Sequence, residues 1–345
     1  MRYLGSKRKH LPQIEKFLLQ KTDHKNIKTF LDLFSGTGAV GFHFKPYYSV
    51  TANDILSFCT AVCCAKLSFN TPPEFKGLKD LGDPINYLNS LRVNVEATHE
   101  EKNFITNNYT LSASTPRKFF TEENAIKIDM IRQSIELWYV NNFITEPEYK
   151  YLVGCLIMAV SKVSNTAGIY AAFLKHWDNR ALKPIELHHP ILINNNKSNS
   201  VHNNDALCAF KQLPNYDLCY IDPPYNNRHY TSNYHLLETI ARYDYPHISG
   251  ISGSRSFTSN EKSLFCSKAF AYEAFDRLIN CATSKRILVS YSSNGILQKD
   301  EISDILKKYG RPKTFKFEEI NAEPYKSKEI TKKPLKEYLF FVEMR

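Results

Sequence analysis

The chain has 345 residues, 43% of them hydrophobic, which allows two domains or one large α/β domain with an insert. Lysine and arginine outnumber aspartate and glutamate by 45 to 35, giving a net charge of +10, a pI near 9.0 and a bias toward a polyanionic partner. The eight cysteines lack paired metal spacing, no signal-peptide pattern follows Met1-Arg2-Tyr3, and the most apolar stretch, Tyr151 to Val160, is too short for a bilayer; these exclude a membrane span and predict a soluble protein of the reducing cytoplasm.

Leu11 to Leu19 reads as an opening helix with Pro12 in its first turn. Thr29 to Phe34 is a short apolar strand, Ser35-Gly36-Thr37-Gly38 a glycine-rich turn, and Ala39 to Phe42 the start of a helix. Glycines at 36 and 38 allow positive φ and a close backbone approach to a ligand. Ser49 to Asn53 reads as the second strand. Asp54 follows it, where a dinucleotide-type fold sets an acid on ribose hydroxyls. The next helix carries Phe58, Val62, Cys63 and Ala65, and Cys59, Cys63 and Cys64 at helical spacing read as buried thiols. The pattern breaks near Thr71-Pro72-Pro73, and residues 70–200 form an insert unlike a sheet. There Thr121 is a candidate cap for a helix with Ile128, Ile131, Ile135 and Trp138 on one face. Pro147 suits the first turn of the next, which buries Leu152, Val153, Leu156, Ile157 and Val160.

After Ile185 to Ser200 the core resumes with His202-Asn203-Asn204-Asp205. Leu218-Cys219-Tyr220-Ile221 reads as a buried parallel strand, and Asp222-Pro223-Pro224-Tyr225 ends it, because neither proline has an N–H to continue a ladder. A carboxylate and an aromatic ring are thereby presented on a rigid loop at the carboxyl end of a strand, where open α/β sheets bind ligands. Asp222 and the Pro223 carbonyl can accept hydrogens from an exocyclic amine, and Tyr225 can stack on a flat base. A helix from about Asn233 to Tyr243 follows. Ile248 to Ser259, rich in Ser and Gly around Arg255, reads as a mobile loop that orders on the polyanionic partner. Ile287 to Tyr291 reads as a strand, Ile302 to Lys308 as a helix, and Phe315 to Ile320 with Tyr338 to Val342 as a closing antiparallel pair. Lys326, Lys328, Lys332 and Lys333 read as a solvated face. His176, His188 and His189 lack zinc spacing, so no metal is expected.

Asp32-Leu33-Phe34-Ser35-Gly36-Thr37-Gly38 resembles the cofactor motif of amino-group DNA methyltransferases, and Asp222-Pro223-Pro224-Tyr225 resembles their catalytic motif. Arg2-Tyr3-Leu4-Gly5-Ser6-Lys7 is similar to the opening motif of the Dam-like class, and the order of the three motifs resembles the class called alpha. Phe120 to Ala125, Leu174 to Asp178 and Ser232 to Thr239 resemble adenine methyltransferases of the FokI type from restriction–modification systems. The resemblance implies an α/β, Rossmann-like S-adenosylmethionine-dependent methyltransferase fold: a mixed, mostly parallel sheet with helices on both faces. Residues 1–69 and 201–345 would form the catalytic domain, and 70–200 a largely helical inserted target-recognition domain.

The implied reaction moves a methyl group from S-adenosylmethionine to N6 of a flipped-out adenine in a short duplex DNA sequence. The implied catalytic residues are Asp222, Pro223, Pro224 and Tyr225. Asp32 suits the cofactor ammonium and Asp54 its ribose; Tyr3, Lys7, Phe34, Gly36, Gly38, Asp205 and Asp222 complete the expected cofactor set. Arg117, Lys118, Lys175, Arg180, Arg228, His229 and Arg255 are the expected DNA contacts. The expected partners are double-stranded DNA and, genetically, a cognate restriction endonuclease; the chain is expected to act as a monomer. A methyltransferase of RNA or protein amines, a nicotinamide-dependent oxidoreductase and a DNA-binding protein on an inactive methyltransferase fold are the alternatives.

Overall fold

The structure is a computed structural model and describes residues 1–93, 102–227, 229–258, 263–321 and 335–345. Two compact units divide the chain. The sheet unit holds Ser6–Ile55, Asn195–His229 and Ser259–Arg345, and the helical unit holds Met1–Gly5, Leu56–Asn194 and Tyr230–Thr258. Residues 56–69 and 230–258 thus group with the insert. The strands in chain order are β1 (Thr29–Asp32), β2 (Ser49–Asn53), β3 (Ser200–His202), β4 (Leu218–Ile221), β5 (Ile248–Ser249), β6 (Ser254–Arg255), β7 (Arg286–Ser292), β8 (Lys316–Asn321) and β9 (Lys336–Glu343). The helices are α1 (Leu11–Lys21), α2 (Ala39–Phe44), α3 (Ser57–Cys63), α4 (Pro84–Ser90), α5 (Phe104–Tyr109), α6 (Glu122–Val140), α7 (Glu146–Val163), α8 (Ala206–Gln212), α9 (Tyr230–Asn233), α10 (His235–Arg242), α11 (Ala271–Asn280) and α12 (Lys299–Tyr309).

The sheet unit is built on seven strands in the order β3-β2-β1-β4-β7-β9-β8. The first five are parallel, and β9 runs antiparallel to both β7 and β8. All four residues of β4 are buried, as the unbroken apolar run requires of a central strand covered on both faces. One face packs α8, α11 and α12 through Phe210, Phe275, Ile302 and Leu306 against Leu31, Cys219, Ile221, Ile287 and Val289. On the other face Phe30 of β1 meets Phe44 of α2 at 5.0 Å between ring centres. This is the mostly parallel sheet with helices on both faces that the motifs imply.

The chain winds from β1 outward to β3 and then crosses back to β4, so the switch point of the sheet lies between β1 and β4. Register places Asp32 opposite Tyr220, and Glu337 opposite Ser292. Side chains alternate between the faces. Asp32, Tyr220, Asp222, Ser290, Ser292 and Glu337 therefore share the face that the apolar cluster leaves, toward the carboxyl ends of the parallel strands.

The helical unit centres on α6 and α7. Thr121 caps α6 by accepting from the Asn124 N–H at 3.3 Å, as its sequence position predicts. Thr145 and Glu148 form a reciprocal capping box at the start of α7. Gly154 brings α7 against α3 so closely that an added Cβ would fall 2.2 Å from the Ala61 carbonyl oxygen. Gly154→Val therefore lowers stability by about 1–3 kcal/mol, because two backbones must part; an unchanged urea midpoint would refute this packing.

Residues 248–255 do not form the mobile loop expected of their composition. Ile248 pairs with Arg255 and Ser249 with Ser254 in a short hairpin. Tyr109 Oη donates to the Gly253 carbonyl at 2.8 Å and Arg117 donates to the carbonyls of Gly250 and Ile251, which fixes the turn. Ser259 and the lysines at 326, 328, 332 and 333 lie outside the described residues. Among the described residues, no helix is long and apolar enough to cross a membrane.

Candidate active site

The glycine-rich turn is tied down by the acids on either side of it. Asp32 is 1% exposed, and its Oδ2 accepts from the Gly41 N–H at 2.9 Å in the first turn of α2. Asp54 Oδ2 accepts from the Gly36 N–H at 2.8 Å. Gly36 and Gly38 take φ of 50° and 71°, the left-handed region that makes glycine the fitting residue at both positions. Asn53 ties the neighbouring loops together, its Nδ2 donating to the Leu33 and Asn204 carbonyls at 3.2 and 3.1 Å. Asn203 Nδ2 donates to the Asp54 carbonyl at 2.8 Å, and Asp205 Oδ1 caps α8 by accepting from the Leu207 N–H at 2.9 Å. Phe34 meets Phe265 edge-on with ring centres 5.2 Å apart. Asp205, Asp54, Asp32 and Asp222 thus stand at or just beyond the carboxyl ends of β3, β2, β1 and β4, which are adjacent in the sheet.

Beyond β4, Asp222 meets a buried lysine. Lys7 is 5% exposed, and its Nζ lies 3.1 Å from Asp222 Oδ1 and 2.6 Å from Glu337 Oε1. The Asp222 contact is an ion pair off the angle of a hydrogen bond, so Oδ1 accepts none. Ser290 Oγ donates to Glu337 Oε1 at 2.5 Å. Burial pushes the Asp222 carboxyl up; Lys7 opposes this and Glu337 adds to it, and the net result is well above the ordinary carboxylate range. Burial disfavours the Lys7 ammonium, but Asp222 and Glu337 outweigh it and hold the ammonium above its usual range. The Tyr225 ring centre is 5.6 Å from Lys7 Nζ, and the Tyr225 backbone carbonyl accepts from the Ile296 N–H at 3.0 Å. The motif tyrosine is held at its backbone.

The sheet unit thus brings Asp222 and Tyr225 to the Lys7 ammonium, with Pro223 and Pro224 between them in the chain and Asp32, Phe34, Gly36, Gly38, Asp54 and Asp205 on the neighbouring strand ends. Tyr3 belongs to the helical unit, where its ring stacks on Tyr234 at 5.0 Å and lies 5.6 Å from Tyr230. Sequence reasoning missed Glu337 and Ser290. The available signal was a glutamate directly before the apolar run Tyr338 to Val342, where an unpaired charge is not tolerated.

The basic residues expected at DNA divide into two groups. Arg117 is 6% exposed and spends its guanidinium on the carbonyls of Asn108, Gly250 and Ile251. Arg255 is 5% exposed and grips Asp244 with both terminal nitrogens at 2.9 and 2.6 Å. Both arginines, expected among the DNA contacts, are buried and act as struts of the hairpin. Lys175 is exposed, and Lys118 Nζ lies 5.1 Å from the Trp177 ring centre. Arg180 is half-buried and pairs with Asp178 at 2.7 Å, which holds the Asp178 carboxyl down at about 2. His229 is half-buried, and Arg228 lies outside the described residues. Among the described residues no three His, Cys, Asp or Glu side chains gather to hold a metal ion.

Comparison with known proteins identifies the family. Residues 3–305 match the family model described as D12 class N6 adenine-specific DNA methyltransferase. The chain is 42% identical over 346 residues to the type II methyltransferase M.FokI of Planomicrobium okeanokoites, an alignment covering 99% of this chain and 52% of that protein. It is 38% identical over 351 residues to the modification methylase StsI of Streptococcus sanguinis, covering 100% of this chain and 52% of the relative. It is 33% identical over 313 residues to the type II methyltransferase M.NlaIII of Neisseria lactamica, covering 90% and 89% of the two chains. The chain thus spans about half the length of the first two relatives and most of the third.

Proposed function

This chain belongs to the D12 class N6 adenine-specific DNA methyltransferases, and from that premise we propose that it methylates N6 of adenine in a short duplex DNA sequence, using S-adenosylmethionine. The observation that carries the reading is the buried Lys7–Asp222 pair at the end of β4, beside the row of strand-end carboxylates. That row suits a ligand with a positive sulfur, an ammonium and ribose hydroxyls; it does not suit the pyrophosphate of a nicotinamide dinucleotide. Asp54 and the Gly36–Gly38 turn would hold the ribose and methionine end, with Asp32, Phe34, Asp205 and Lys7 completing the cradle of the sheet unit. When bound, S-adenosylmethionine supplies a methyl group already activated by the positive charge on sulfur.

The residues of the chain then do three things. Tyr225 stacks on the adenine, which must leave the duplex stack to reach the loop. Asp222 and the Pro223 carbonyl accept the amine hydrogens and turn the nitrogen lone pair toward the methyl group, a positioning task. The proton is lost late from N6, to water or through Asp222 Oδ1, whose hydrogen-bonding capacity is unused. The protein reads as a cytoplasmic monomer of a restriction–modification system with an endonuclease as genetic partner. Residues 70–200 read as its target-recognition segment, and Lys118, Lys175, Arg180, Arg228 and His229 as its DNA contacts.

Incubation with labelled S-adenosylmethionine and unmethylated genomic DNA, followed by mapping of methylated adenine, tests the reading. Methyl-adenine in one recurrent motif supports it; label in RNA or protein alone overturns the substrate. Lys175→Ala is expected to weaken DNA binding evenly across sequences and to lower the slope of log affinity against log salt by about one, as loss of one phosphate contact does. An unchanged slope removes Lys175 from the interface.

A further inference from the structure

We propose that Glu337 is a positioning residue of this site, drawing the Lys7 ammonium toward itself so that Asp222 keeps its capacity to accept the substrate amine. The proposal deepens the methyl-transfer reading and rests on it. Half-buried Asp222 and buried Glu337 share one ammonium, and the sharing is unequal: 2.6 Å to Glu337 against 3.1 Å to Asp222. Ser290 adds a hydrogen bond to the same oxygen of Glu337, while Asp222 Oδ1 accepts none. Glu337 Oε1 therefore holds the ammonium and a hydroxyl together, and Asp222 is left with the longer ion pair. The cluster carries one net negative charge in a buried setting. The charged groups that act on Asp222 are Lys7 from the opening turn and Glu337 of β9; Tyr220 and Tyr225 flank it on its own segment, and Asp32 of β1 and Ser290 and Ser292 of β7 lie on the same sheet face. Among these, Glu337 is the carboxylate that shares Asp222's counter-ion.

The consequence is read in a pH profile. Glu337→Gln in the full chain removes one negative charge beside Asp222 and leaves Lys7 to Asp222 alone. Both changes favour the Asp222 carboxylate, so its proton is lost at lower pH. The acidic limb of single-turnover methyl transfer is expected to move down by about one pH unit, the size of shift that one neighbouring charge produces. The plateau rate is expected to fall several-fold, because a tight Lys7–Asp222 pair competes with the amine. Glu337→Asp keeps the charge and is expected to hold the limb near its wild-type position. A uniformly lowered rate with an unmoved limb in Glu337→Gln overturns the proposal and leaves Glu337 a merely structural residue. Carboxyl-labelled protein supplies a measurement that needs no methyl transfer: the Asp222 titration is expected to move to lower pH in Glu337→Gln and to stay in place in Glu337→Asp. An Asp222 titration unmoved in Glu337→Gln overturns the proposal. Wild-type protein that methylates no DNA at any pH sinks the functional reading instead, and the Asp222 titration still decides the role of Glu337.

Discussion

Asp222→Ala is expected to lower methyl transfer by about 10²–10⁴-fold, the range for losing a positioned proton acceptor, while some affinity for S-adenosylmethionine is retained. The loss is specific because the carboxylate is the group at the strand end with an unused acceptor oxygen, and no neighbour replaces it. Glu337 is already committed to Lys7 and Ser290. Folding survives the truncation because Lys7 keeps its 2.6 Å contact with Glu337. Asp222→Asn retains one acceptor oxygen and is expected to lose less than the alanine variant. Single-turnover transfer to duplex DNA, beside calorimetric titration with the cofactor, checks both parts. Full activity in Asp222→Ala would sink the catalytic assignment.

Lys7→Met acts on stability first and on activity second. It leaves the buried Glu337 and the half-buried Asp222 with no counter-ion, and removing the cation from a buried ionic cluster costs about 3 kcal/mol. The pH dependence follows from the direction of the shift. Lys7 has its folded pKa raised above the unfolded value of 10.5, so its contribution is fully present below about pH 10.5 and fades as pH rises through the folded value. In the variant the two carboxylates repel, and protonating one relieves the strain. Urea midpoints of wild-type and Lys7→Met protein are therefore expected to differ most near pH 8 and to converge on acidification. Equal midpoints at pH 8 would show that the cluster contributes nothing to folding.

The motifs on which the family resemblance rests are local. A glycine turn between a strand and a helix, and a proline pair after a buried strand, are fixed by φ and by missing N–H groups, which act within a few residues. The same holds for the Thr121 cap, for Pro147 in the first turn of α7, and for the apolar faces of both helices. Helices α8 and α11 escaped the sequence reading. Both pack on the sheet face opposite the Asp32–Glu337 line, where burial by tertiary contacts outweighs modest local signals.

What the sequence by itself determined is the strand–turn–helix frame, the identity of the strand-end acids and the family they resemble. Those features follow from periodicity and from which residues tolerate which backbone angles. What only the tertiary structure decided is which charges meet. Lys7 finds Glu337 across 330 positions because β9 enters the sheet antiparallel beside β7, a consequence of strand order that no local pattern encodes. Arg117 and Arg255 read as cations for DNA, yet the hairpin and Asp244 claim them. A charged side chain announces only that it needs a partner. Whether that partner is water, phosphate or another buried group is settled by the burial of its surroundings, and burial belongs to the folded chain as a whole.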